Sequence, residues 1–149
     1  MDPAFVHLDV RSFFSIKEGA FSPEALARRA AELGMPAVAL ADRDGLYGVA
    51  RFVDACEREG VRPILGASLT VREAGTLPIP RSGRRPPDTS VLLLARDAAG
   101  YANLCRLVTD AHMVGERGDP SVTPEQVCAH PAGLLAVLGP TSAPGELAR

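Results

Sequence analysis

Apolar and polar positions alternate with two different periods along this chain, and the switches between them divide it into elements. Phe5 to Val10 (FVHLDV) alternates and is rich in strand-forming residues, which predicts a strand. From Ser22 the spacing becomes helical: Leu26, Ala30 and Leu33 fall on one face. Ser22 can cap this helix, Pro23 suits its first position, Glu24 meets the positive end of its dipole, and Gly34 ends it. Ala37 to Ala41 (AVALA) is a short, wholly apolar run of the kind found in buried parallel strands.

The Asp42-Arg43-Asp44-Gly45 loop leads to a second helix with Val49, Phe52, Val53 and Cys56 on its apolar face and Gly60 at its end. Arg62 to Val71 predicts a third strand, with Gly66 as its weak point. Residues 72–89, rich in Pro, Gly and Arg, read as an exposed flexible loop. Val91 to Ala95 is another strand, and Asp97 caps a helix with Tyr101, Leu104, Cys105 and Val108 buried. Thr123 to Gln126 fits a capping box, Leu134 to Leu138 a last strand, and Gly139 to Arg149 a tail. Strands alternating with helices imply an α/β fold with mostly parallel pairing and right-handed crossovers.

Composition narrows the function classes. A length of 149 residues suffices for one domain with a core. The net charge of −2 supplies no overall electrostatic reason to bind nucleic acid. Cys56, Cys105 and Cys128 form no CxxC pair, and buried free thiols in a reducing compartment are expected. No signal peptide and no membrane-spanning run is expected. Ser15 and Ser22 have no His or acid at a triad spacing, and His112 and His130 are expected to be structural or surface residues. The Asp42-Arg43-Asp44-Gly45 loop alone reads as a turn with a helix cap at Asp44. Arg81, Arg84 and Arg85 are expected to form a solvated run, since no aromatic residue lies among them.

Three segments carry a resemblance: Phe5 to Asp9, Ala39 to Gly48 (ALADRDGLYG) and Pro63 to Leu69 (PILGASL). In order, they resemble the first three motifs of the PHP (polymerase and histidinol phosphatase) domain that begins bacterial DNA polymerase III alpha subunits. Glu24 to Pro36, Val91 to His112 and Ala132 to Leu138 are similar to intervening elements of that domain. Asp42 to Gly48 looks most like the error-prone, second alpha subunits of high-GC bacteria. The resemblance implies residues 1–149 to be the N-terminal part of a (β/α)7 PHP barrel, with later ligand strands and the polymerase palm lying outside it. It also implies a cytoplasmic protein of DNA replication or translesion synthesis. The partners implied are the rest of the alpha chain and other replication or repair subunits. DNA would be met only through the parent, and no membrane is involved.

The family's metal ligands carry over as follows. An HxH pair reads here His7-Leu8-Asp9, so Asp9 takes the place of the second His and can still ligate a divalent ion. An Asp-His pair reads Asp42-Arg43, and arginine, always protonated, is no ligand. A Glu position reads Ser68. The resemblance thus implies a degenerate site of His7, Asp9 and Asp42, with at most weak zinc or manganese binding and no catalysis by this part alone. An ion pair of Arg43 with Asp9 or Asp42 is expected to hold the strand ends where a metal would otherwise sit. The alternative is an active metal-dependent phosphoesterase, which Arg43 and Ser68 speak against.

Overall fold

The computed structural model describes residues 5–72, 89–114 and 118–138. The centre of the predicted Pro/Arg-rich loop, with Arg81, Arg84 and Arg85, and the predicted tail lie outside the described residues. The elements run α1 (Pro23–Glu32), β1 (Ala37–Arg43), α2 (Val49–Glu59), β2 (Arg62–Val71), β3 (Thr89–Ala95), α3 (Ala98–Val114), α4 (Pro124–Ala129) and β4 (Leu134–Val137).

Local chemistry sets the helix ends. The Ser22 hydroxyl accepts from Ala25 N at 3.1 Å, and Asp97 Oδ1 from Gly100 N at 2.8 Å. Thr123 and Gln126 close a reciprocal capping box. Gly60 terminates α2 in the left-handed region at φ 70°, where a side chain would be strained. Asp44 caps nothing, because α2 starts after Gly48.

The four strands form one sheet in the order β1-β2-β3-β4. β1 and β2 are parallel, and β2 is not broken at Gly66. β3 runs antiparallel to β2, and β4 antiparallel to β3. The expectation of mostly parallel strands therefore holds for one of the three pairings, and the described residues form a mixed α/β sheet. Phe5 to Val10 is not a regular strand. Ala39 N donates to His7 O at 2.9 Å and Ala41 N to Val10 O at 2.8 Å. Two amides two residues apart thus meet carbonyls three residues apart, so one extra residue bulges out and the ladder is lost.

Side-chain alternation sorts the sheet into two faces. Val38 and Leu40 pack with Ala27, Ala30, Phe52 and Cys56 beneath α1 and α2. Leu69, Val91 and Leu93 pack with Leu104, Leu107 and Val127 beneath α3 and α4. Ala39, Ala41, Leu92 and Leu94 form a thinner apolar layer on the opposite face. On α3 the buried residues are Gly100, Leu104, Leu107 and Ala111, with Tyr101, Cys105 and Val108 only half-buried. Cys56 alone of the three thiols is buried; Cys128 is exposed. Burial pushes the Cys56 thiol up to about 11, so it is held as an inert thiol.

Candidate functional site

The C-terminal end of β1 gathers the polar residues of interest. Successive strand residues point to opposite faces, so Asp42 and Arg43 part company. Asp42 follows Val38 and Leu40 toward the helix side. Arg43 follows Ala39 and Ala41, and lies opposite Ser68 in the β1–β2 register.

Asp42 is 2% exposed. Its Oδ1 accepts from Ser12 N and from Ser15 Oγ, each at 2.7 Å, and its Oδ2 from Ser12 Oγ at 2.8 Å. Both serine hydroxyls are used twice: Ser12 Oγ also accepts from Phe14 N at 3.3 Å, and Ser15 Oγ from Arg43 N at 2.9 Å. The carboxylate is thereby the anchor of the segment from Ser12 to Ser15, which has no helix or long strand to hold it. Gly19 closes this segment against its own start; a Cβ there would lie 1.9 Å from Ser12 O, so no other residue fits.

On the other side a charged bridge forms. Glu18 Oε2 accepts from Arg11 Nη1, and its Oε1 from Arg43 Nη1 at 3.0 Å. Arg11 Nη2 reaches Ser68 Oγ at 3.3 Å and lies 4.0 Å from Asp9 Oδ1. Arg43 Nε is 3.7 Å from Asp44 Oδ2. Among the described residues the acids facing Arg43 are thus Glu18 and Asp44; the expected pairing with Asp9 or Asp42 is not formed. Asp9 stands on the bulged, exposed segment, and Asp42 is turned to the opposite face.

Asp44 is itself held inward. Its carboxylate accepts from Thr70 N at 2.6 Å and Thr70 Oγ1 at 2.7 Å. Burial raises its pKa, against the opposing pull of these bonds and of Arg43 and His112. His112 Nε2 lies 2.7 Å from the Asp44 carbonyl, and since a carbonyl only accepts, this nitrogen carries the proton. Lys17 and Asp44 are the described non-glycine residues with positive φ, at 71° and 48°, and both flank this site.

His7 faces elsewhere: it lines an apolar groove of ≈ 210 Å³ with Val10, Phe21, Leu26, Leu33 and Met35, and its ring meets Phe5 edge-on at 4.7 Å. His7, Asp9 and Asp42 are not brought together around one point. Among the described residues no group of three or more His, Cys, Asp or Glu is placed to hold a metal ion. Instead Glu18 and Ser68 meet guanidinium groups, and Asp42 is taken up by Ser12 and Ser15. Sequence reading missed Arg11, Ser12, Glu18 and Thr70. The Ser12-x-x-Ser15 spacing, two hydroxyls on one turn, was the available signal for the first contact set.

A parallel strand pair with acids at one end and helices over one face is the frame of this mixed α/β domain. The PHP domain profile covers residues 7–149, and the chain belongs to this family. An error-prone DNA polymerase of Anaeromyxobacter sp. (strain K) is 44% identical over 144 residues, taking in 91% of this chain and 12% of that protein. A DNA polymerase III subunit alpha of Caulobacter vibrioides is 38% identical over 141 residues, 94% of this chain and 12% of that protein. The chain therefore spans about an eighth of the length of these relatives. An amidohydrolase from Chromobacterium violaceum, solved with bound sulfate and no metal, superposes with a TM-score of 0.47 at 24% identity, over 68% of this chain and 32% of that one. No helix among the described residues is long and apolar enough to cross a membrane.

Proposed function

We propose that this chain is the front part of the PHP module of an error-prone DNA polymerase III alpha chain, and that the module serves as structural support without metal-dependent hydrolysis. One observation carries the reading: two guanidinium groups, Arg11 and Arg43, share the Glu18 carboxylate, and Arg11 extends to Ser68. Fixed positive charges at the strand ends repel a divalent cation and take up the carboxylate that would attract one. On this reading the parent acts in replication or translesion synthesis in the cytoplasm. Its partners are the rest of the alpha chain and other replication or repair subunits, and DNA is met only through the parent. His7, Asp9 and Asp42 are then remnants of a ligand set, with weak zinc or manganese binding at most.

Elemental analysis of the purified full-length protein, with a phosphodiesterase assay in manganese, tests this. The expected result is metal far below one equivalent and no turnover; near-stoichiometric zinc or manganese with turnover overturns the reading. The geometry adds a sharper arm. Arg43→His with Ser68→Glu gains little metal affinity, because Arg11 pairs with the new carboxylate. Adding Arg11→Ala to those two changes is what produces measurable zinc binding by calorimetry.

A further inference from the structure

Glu18 spans two guanidinium groups, giving Oε2 to Arg11 Nη1 and Oε1 to Arg43 Nη1. Two oxygens of one anion, each on its own guanidinium, is an arrangement that suits carboxylate and phosphate alike, because their oxygens are similarly spaced. Glu18 is therefore the chain's own stand-in for an external oxyanion. It is also the replaceable part. The segment that carries it is held by the bonds of Asp42 to Ser12 and Ser15, whatever Glu18 does, and its side chain is 31% exposed. The donors are fixed: Arg43 ends β1, and Arg11 also reaches Ser68 Oγ at 3.3 Å. Nor does Glu18 saturate them. Arg11 Nε is buried and has no acceptor among the described residues. The opposing acids are weak competitors, with Asp44 turned inward onto Thr70 at 2.6 and 2.7 Å and Asp9 4.0 Å from Arg11 Nη2. Lys17, beside Glu18, adds an exposed positive charge.

We propose that Arg11 and Arg43 form a phosphate-binding site, in which a small or terminal phosphate displaces the Glu18 carboxylate and bonds both guanidinium groups and the Ser68 hydroxyl. The inference rests on the reading of the strand ends as closed to divalent cations, and adds what they take instead. Free phosphate or a phosphate monoester carries about 1.5 to 2 negative charges at neutral pH against one on Glu18, which favours the exchange. The arginine side chains are about a quarter exposed. Such a recess admits a phosphate at the end of a small molecule and disfavours the internal diesters of a nucleic-acid strand.

Arginine modification by methylglyoxal, a reagent of about phosphate size, tests this in the full-length polymerase chain with EDTA present. Peptide mass spectrometry follows Arg11, Arg43 and, as the control, Arg58 at the far end of α2. Inorganic phosphate at about 10 mM is expected to at least halve labelling of Arg11 and Arg43 relative to sodium chloride of equal ionic strength, and to leave Arg58 unchanged. Glu18→Gln removes the internal competitor, so the half-protecting phosphate concentration is expected to fall about fivefold, near the most that an exposed ion pair is worth. Replacing phosphate by dAMP separates the sources: stronger protection assigns a nucleotide-borne phosphate, and weaker or equal protection the free ion. Equal labelling in phosphate and chloride, an unchanged protecting concentration in Glu18→Gln, or resistance of both arginines to the reagent without phosphate overturns the proposal. Loss of protection leaves the metal analysis standing, and a metal-loaded, active protein is detected separately, without EDTA.

Discussion

Asp42 and Glu18 tie the same segment, residues 11–19, to the same end of β1, Asp42 from beneath and Glu18 from the solvent side. Asp42 is buried and accepts three hydrogen bonds from uncharged donors. Glu18 is about one-third exposed and bridges two guanidinium groups that are themselves a quarter exposed. The buried acid makes the weaker individual contacts but has no solvent to fall back on. The surface acid makes full ion pairs that water and salt can replace. Depth therefore decides which of the two holds the loop.

The largest expected effect is at Asp42. Asp42→Ala strands one backbone and two hydroxyl donors in the interior and is expected to cost about 3 kcal/mol, read as a lowered urea midpoint. Ser15→Ala removes one of these bonds and the acceptor of Arg43 N, and should cost about 1–2 kcal/mol in the same assay. Glu18→Gln is expected to cost less than about 1 kcal/mol, and the deficit should shrink further as salt is raised. A Glu18→Gln loss equal to that of Asp42→Ala would break the comparison.

The smallest effect lies at Glu24, where the paired bonds from Arg51 hold the carboxyl at about 2, below its ordinary 4.5. A depressed pKa contributes stability that is complete above pH 4.5 and fades as pH falls toward 2. The pair is more exposed than the Glu18 bridge, so its worth is about 0.5 kcal/mol or less. The difference in unfolding midpoint between Glu24→Gln and the parent chain should be visible near neutrality and vanish in strong acid. Asp44 works in the opposite sense. Its raised pKa means a stability that is greatest below pH 3.8 and declines as the group is forced to ionise.

Features that rest on neighbours in sequence were legible from residues alone. The Ser22, Asp97 and Thr123 caps and the Gly60 terminus each depend on contacts within a few positions, and each stands where the pattern put it. The parallel pairing of β1 with β2 followed from the helix between them. The direction of β3 did not, since Val91 to Ala95 reads the same whichever way it runs, and only its partner Leu69 to Gly66 reveals the reversal. At the site, family motifs drew attention to His7, Asp9, Asp42, Arg43 and Ser68. The contacts that organise it involve Ser12 and Ser15, 30 and 27 residues from Asp42, and no local period encodes such a pairing. The bulge before Val10 was hidden for a related reason: alternation in FVHLDV describes side chains, whereas the register is set by which carbonyls β1 selects.

The bond from Ser12 N to Asp42 has a consequence for exchange with solvent deuterium. That amide sits in a stretch with almost no regular secondary structure, where rapid labelling is the default, yet its acceptor is among the most deeply enclosed groups of the molecule. Its opening is coupled to withdrawal of the whole segment from β1, so it should label on the timescale of the central strands, while the amide of Ile16, four residues on, labels at once.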